Sequence, residues 1–427
     1  MFIVYCLLIM VSIARKNLFE DIPRFLVAQA GIMFAVSLVT IQTGILEGFT
    51  RSTTLLIDST KADIWVASQD MVHFELTKPL LYGEVNAAEK INGVAKAEAL
   101  SMGAGRWLTP QGKLTPLRIF GFDPESELFR PGHIAMGSLK QLNQPYTVMV
   151  DESKLDSLNV EKIGDSAQMR SLPARLVAIT KNTQSIASSS FVFTSLENAN
   201  VYIYSAFTSK LDCKLESGGV NCTTIYEKTD DGDSFELAQK IETPEPLSST
   251  DAIFYILIKA EPGQNLEELK RRLEIALPGT RAYTTREMST KTGDYWTKRT
   301  GIGFILGLGA TVGVIVGIVI VGQILYTSVS DHLKEFGTLK AMGASNRVIY
   351  GAIVEQALWM AVLGYIPSMV LCLGLSHWAL ATEGVIILIT PVSAAGILGI
   401  TVVMCVSAAL FAIQKVTRVD PAIVFKA

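Results

Sequence analysis

The sequence predicts an α-helical membrane protein with four transmembrane helices and a large exoplasmic α+β domain inserted between helices 1 and 2. Three observations predict it. Of the 427 residues 49% are hydrophobic and only 18% charged, whereas a soluble protein carries about a quarter charged residues. The apolar excess, seen in a mean hydropathy of +0.35, sits in four runs at 25–46, 301–326, 349–375 and 386–413. Each is close to the ~20 residues a helix needs to cross a bilayer. Between the first two runs, residues 47–300 have ordinary polar composition. Together these exclude a disordered chain, a coiled coil and an ordinary cytosolic enzyme. A net charge of −3 with no basic cluster argues against nucleic acid as a partner.

At the N-terminus, residues 1–13 are apolar but too short to span. They lack the basic start and small-residue cleavage site of a signal peptide. Met10 as the natural start, or an interfacial segment, are the two readings. Orientation follows from Lys and Arg in the short flanks, which favour the cytoplasm. Arg15, Lys16 and Arg24 precede the first run, Lys334, Lys340 and Arg347 follow the second, and Lys415, Arg418 and Lys426 follow the fourth. The loop 376–385 has neither residue type. Residues 1–24, 327–348 and 414–427 are therefore expected in the cytoplasm, with both termini inside, and 47–300 and 376–385 outside.

The outside domain alternates strand-like and helix-like pieces. The β-branched and aromatic segments beginning at Ala62, Leu117, Thr147 and Ala252 read as strands. The segment from Leu266 has apolar residues at helical spacing and reads as an amphipathic helix, as does 87–91. An α+β domain with at least two lobes results. The stretches from Thr229 and Glu242 read as loops. Cys6, Cys372 and Cys405 lie in apolar segments, where a thiol behaves as a small hydrophobe. Cys213 and Cys222 lie in the outside domain. If Ser217 and Gly218 form a two-residue hairpin turn, the two cysteines face each other across the strands. An oxidising exterior favours a disulfide over two unpaired thiols, and no nearby His suggests a metal site.

No catalytic constellation appears. His73 and His133 are isolated, Asp123 and Glu125 flank Pro124 in a turn-like setting, and the Asp230, Asp231 and Asp233 cluster lacks the distal Glu of a calcium loop. There is no nucleophile elbow and no Walker A pattern.

In the second apolar run, Gly303 and Gly307, then Gly309, Gly313 and Gly317, repeat at four-residue spacing. Such a face admits close backbone approach, either within one subunit or against a second copy of the chain. Beyond it, Ser328 and Asp331 fit a capping box. Leu333, Phe336, Leu339 and Met342 then form an apolar stripe beside Lys334, Glu335 and Lys340, ending at Gly343. A short amphipathic helix of this kind lies on the membrane, docks into a partner's groove or serves as an interfacial linker. Glu355 is the acidic residue well inside a membrane run, a functional position by default, with Arg347 as one available partner.

The segment Val329-Ser-Asp-His-Leu-Lys-Glu-Phe-Gly-Thr-Leu-Lys-Ala-Met-Gly-Ala resembles the coupling-helix signature of MacB/FtsX-type ABC transporter permeases, above all the DevC-like cyanobacterial branch. The tail Arg418-Val-Asp-Pro-Ala-Ile-Val-Phe resembles the closing Asp-Pro-Ala motif of that family, and the segment from Arg24 is similar to its first span. Phe336-Gly337 stands where the DevC-like branch often has Tyr-Ala and the wider family Ile-Gly.

The resemblance implies a homodimeric, non-catalytic transporter subunit of the plasma (inner) membrane with a MacB-like periplasmic domain. ATP and Mg would be bound by a separate ABC ATPase subunit, with no cofactor in this chain. Leu333, Lys334, Glu335, Phe336, Gly337, Leu339, Lys340 and Gly343 would dock on that ATPase, near Asp420 and Pro421. ATP-driven closure would move the periplasmic domain (mechanotransmission) and drive efflux of a lipid, glycolipid or other amphiphile, with a periplasmic adaptor and an outer-membrane channel. The alternative is an FtsX-like signalling subunit that regulates a periplasmic partner and transports nothing.

Overall fold

The computed structural model describes residues 22–417 except 110–111, 171, 205–206, 217–218, 229–236, 239–242, 333–334, 336–337, 339–344 and 384. The described residues fall into two compact units, one within Met1–Phe49 and Thr300–Ala427, the other Thr50–Arg299.

The first unit contains four long helices: α1 (Ile22–Asp58), α7 (Ile302–Asp331), α8 (Asn346–Glu383) and α9 (Pro391–Thr417), with the numbers between them belonging to the second unit. All four are long and apolar enough to cross a membrane. Three of the helices, α1, α7 and α8, outrun the apolar runs that predict them, because backbone hydrogen bonding continues past the last apolar residue. The 37 residues of α1 extend about 55 Å at ~1.5 Å each, well beyond a ~30 Å hydrocarbon core. Its last residues, from Thr50, belong to the second unit.

Two expectations about these helices are corrected. The run 386–413 begins with a non-helical stretch, and α9 starts only at Pro391, a residue suited to the first helical position because it has no N–H to leave unpaired. Ser328 and Asp331 do not open a new helix. They close α7, where the His332 amide donates to the Ser328 and Ser330 carbonyls.

Small residues let the four helices approach. Ala28, Ile32, Ala35 and Val39 of α1 pack with Val321, Leu325 and Val329 of α7, Ile349, Ile353 and Ala357 of α8, and Met404, Ala408 and Ala412 of α9. Pro367 lies inside α8, where its ring cannot donate to the preceding turn.

The second unit is built on a ten-stranded sheet. Its elements in chain order are β1 (Ile64–Ser68), β2 (Leu80–Leu81), α2 (Gly83–Glu89), β3 (Val94–Leu108), β4 (Leu114–Phe122), β5 (His133–Gly137), β6 (Thr147–Asp151), α3 (Leu155–Leu158), β7 (Ser166–Met169), β8 (Leu172–Lys181), β9 (Ser190–Ser195) and α4 (Leu196–Tyr204). There follow β10 (Phe207–Glu216), β11 (Gly219–Lys228), β12 (Leu237–Ala238), β13 (Ala252–Ile253), β14 (Tyr255–Ala260), α5 (Leu266–Ala276), β15 (Thr280–Thr284) and α6 (Thr285–Arg299). The sheet order is β15-β1-β14-β3-β4-β9-β6-β8-β5, with β7 joining β3 and β8. Pairing is antiparallel except β4 with β9 and β6 with β8.

The two lobes expected from the sequence are halves of this one sheet, joined along the long strand β3. On one side α2 and α5 cover Ile64, Ile256 and Ile258. On the other, α4 packs Ala199 and Tyr202 against Ile119, Val150 and Leu176. An aromatic cluster around Trp65, Phe74, Phe120 and Tyr255 lies in a third buried core. The single strand expected from Ala252 is split at Phe254: β13 pairs with β2, and β14 pairs with β1 and β3.

Candidate functional site

Of the expected coupling residues, Leu333, Lys334, Phe336, Gly337, Leu339, Lys340 and Gly343 lie outside the described residues, as do Met342, Asp420 and Pro421. Glu335 is helical and exposed, with its Oε1 3.3 Å from His332 Nδ1. The structure does describe what brackets the segment. Val329 near the end of α7 and Ile349 near the start of α8 are both buried in the four-helix core. The Gln356 amide donates to Ser328 Oγ at 3.4 Å, tying the two helices once more.

For three of its glycines, the stripe on α7 packs inside the subunit. A Cβ at Gly309 would meet Gln42, at Gly313 Leu38 and Val39, and at Gly317 Met404 and Ala35. Gly307 has open space around its missing side chain, and Gly303 is half-buried. The outward row of α7, including Phe304, Leu308, Val312, Ile315 and Val319, is exposed in the single chain.

Sequence reasoning missed a second glycine pair, on α1. A Cβ at Gly44 would meet Ile387 and Leu388, and one at Gly48 would meet the Ile386 carbonyl. The Leu388 amide donates to the Gly44 carbonyl at 2.9 Å, so the α8–α9 connection rests directly on the α1 backbone. Between the glycines, Glu47 accepts a hydrogen bond from Thr390 Oγ1 at 3.3 Å. Thr390 Oγ1 in turn accepts from the Ser393 amide at 3.1 Å, capping α9. A carboxylate at this helix N-terminus is favoured by the helix dipole. The four-residue spacing of Gly44 and Gly48 was the legible signal. Glu355 is half-buried and, among the described residues, pairs with neither Arg347 nor any other group.

In the domain, β10 and β11 are antiparallel with Glu216 opposite Gly219 and Cys213 opposite Cys222. The turn residues Ser217 and Gly218, and the Asp230, Asp231 and Asp233 cluster, lie outside the described residues. Asp123 Oδ1 accepts from the Glu125 amide at 2.8 Å, a local turn. His133 is exposed on the edge strand β5. His73 is 5% exposed. Its ring stacks on Tyr295 at 4.1 Å and meets Trp296 edge-on at 5.3 Å, both from α6. Burial, aided by the positive Arg118, lowers its pKa to about 4, and Nδ1 accepts the Glu75 amide. The imidazole is thus a neutral packing element. Among the described residues no group of three or more His, Cys, Asp or Glu could hold a metal ion.

Two family models match the chain. One, described as an FtsX-like permease C-terminal region, covers residues 307–421. The other, a MacB-like periplasmic core domain, covers residues 25–276. A curated relative, an ABC transporter permease of Mycobacterium tuberculosis described as uncharacterized, is 32% identical over 112 residues. That match covers 26% of this chain and 31% of the relative, so the chain spans about a third of the curated relatives it matches. Among solved structures, the periplasmic region of MacB from Actinobacillus actinomycetemcomitans is similar with a TM-score of 0.34 and 9% identity, over 54% of this chain and 92% of that one. The extracellular domain of the transporter YknZ from Gram-positive bacteria gives 0.33 and 7%, over 52% and 99%. With one family model spanning more than half of the sequence and a second spanning its C-terminal helices, the chain belongs to the MacB/FtsX-type ABC transporter permeases.

Proposed function

We propose that this chain is the membrane subunit of an ABC exporter, coupling ATP hydrolysis by a separate ATPase subunit to movement of its periplasmic domain and so to export of a lipid, glycolipid or other amphiphile. The observation that carries this reading is the union in one chain of an FtsX-like permease region and a MacB-like periplasmic core, with α1 contributing residues to both compact units. The cargo is moved by the domain and does not thread the subunit. In this reading the chain sits in the inner membrane with both termini in the cytoplasm. The ATPase docks on Leu333 to Ala344, a second copy completes the unit, and an adaptor and outer-membrane channel receive the cargo.

The test is Leu339→Asp, which places a charge on the apolar stripe. The ATPase is expected to lose co-purification and stimulation, while exchange protection in Thr50–Arg299 is unchanged. Survival of both co-purification and stimulation would refute the docking assignment. Lipid analysis of material pulled down from native membrane distinguishes export from FtsX-like regulation, which predicts a bound periplasmic protein and no enriched amphiphile.

A further inference from the structure

We propose that the groove formed by Lys61, Lys96, Arg130 and Lys259 binds a phosphate-class oxyanion, either free or as the ester headgroup of an amphiphile. The inference stands on the domain alone and does not depend on the export reading. The groove has a volume of about 520 Å³, and its lining carries these four cations against one carboxylate, Glu127. That volume falls in the usual range of roughly 300–1,000 Å³ for ligand sites.

Two of the cations are paired with carboxylates. Lys96 Nζ lies 2.8 Å from Glu98 Oε1 and 3.9 Å from Glu127 Oε2. Lys259 Nζ lies 3.0 Å from Asp63 Oδ1 and 3.2 Å from the Lys61 carbonyl. The other two keep their charged ends uncommitted. Among the described residues Lys61 Nζ has no partner, and Arg130 uses only Nε, which donates to the Ser126 carbonyl at 3.1 Å. Two parallel N–H groups of a guanidinium suit a phosphate or sulfate fork.

The frame around the groove is held from within. Glu98, whose side chain is 9% exposed, accepts the Ser126 hydroxyl and the Glu127 and Leu128 amides. The Lys61 amide donates to the Leu128 carbonyl at 2.9 Å. These bonds tie the backbone before β1 to the loop that carries Arg130, so the chain positions that carry the four cations are fixed before any ligand arrives, while the Lys61 and Arg130 side chains reach into solvent. An excess of positive charge lining a concave surface attracts a doubly charged oxyanion.

The experiment is calorimetric titration of the full-length protein in neutral detergent with inorganic phosphate and with dihexanoyl phosphatidic acid. Dihexanoyl phosphatidylcholine serves as the zwitterionic control. Removing Lys61 or Arg130 strands no buried carboxylate, whereas removing Lys96 would strand Glu98. Each single variant, Lys61→Gln or Arg130→Gln, is expected to weaken binding about tenfold. The double variant is expected to lose about a hundredfold, while Lys291→Gln, elsewhere on the domain, leaves affinity unchanged. Phosphatidic acid binding more than about tenfold tighter than phosphate would identify an esterified headgroup as the ligand. Equal affinities would identify the free anion. The proposal is overturned if neither anion binds below about 10 mM, if the variants bind as the parent does, or if phosphatidylcholine binds as tightly as phosphatidic acid.

Discussion

Lowering the pH from 7 to 5 should loosen α6 from the domain, through the imidazole of His73. The ring is buried, stacked on Tyr295 and edged by Trp296 of α6, and folding lowers its pKa from 6.5 to about 4, first by burial and then by the nearby Arg118. In the opened form the imidazole takes up a proton near its ordinary value, while in the closed form it does not. The packing therefore has its full stability above pH 6.5, loses it as the pH falls toward 4, and loses no more below that. Integrating the difference between the two values gives about 1.8 kcal/mol lost between pH 7 and pH 5, which is roughly a 20-fold rise in the opening equilibrium. The assay is hydrogen exchange by mass spectrometry on the intact protein, corrected for intrinsic rates and followed in peptides from Met71 to Lys78 and from α6. His73→Phe keeps a flat ring against Tyr295 but cannot be protonated, so its opening should be independent of pH over this interval. An unchanged opening equilibrium in the parent protein would refute the argument, as would a variant with the same pH dependence as the parent.

Two further outcomes follow from the geometry. Gly48→Ala drives a methyl group into the Ile386 carbonyl. It should cost about 1–3 kcal/mol by overpacking, seen as a lower melting temperature in detergent, whereas Gly374→Ala, with open space around it, should cost nothing. In protein folded in its own membrane, Cys213 and Cys222, opposite each other across β10 and β11, should resist alkylation until a reductant is added. Ready labelling of both without reduction would exclude a bond between them.

Much of the helical architecture was legible because a bilayer imposes its own pattern. A helix that must satisfy its backbone internally and bury ~20 apolar residues leaves a signature that needs no partner to read. The ends were less legible, since nothing in an apolar run says where hydrogen bonding stops. Hence α1 continues to Asp58, Ser328 and Asp331 close α7, and α9 waits for Pro391. In the domain, local β-propensity marked strand segments from Ala62, Leu117, Thr147 and Ala252 but not β3, β8, β9 or β15, and the strand order is non-local. β3 joining both lobes, and β4 and β9 pairing in parallel, depend on contacts between residues far apart in the chain.

The same division runs through the sites. The sequence by itself determined the motifs, the glycine spacing on α7 and the cysteine register, because each is a property of neighbouring residues. Only the tertiary structure decided which contacts those residues make. It sent Gly309, Gly313 and Gly317 inward, set the α8–α9 connection on Gly44 and Gly48, and buried His73 beneath α6. It also gathered Lys61, Lys96, Arg130 and Lys259 around one groove. Charges from four separate stretches converge only once β1, β14 and β3 lie side by side, and no local pattern encodes that adjacency.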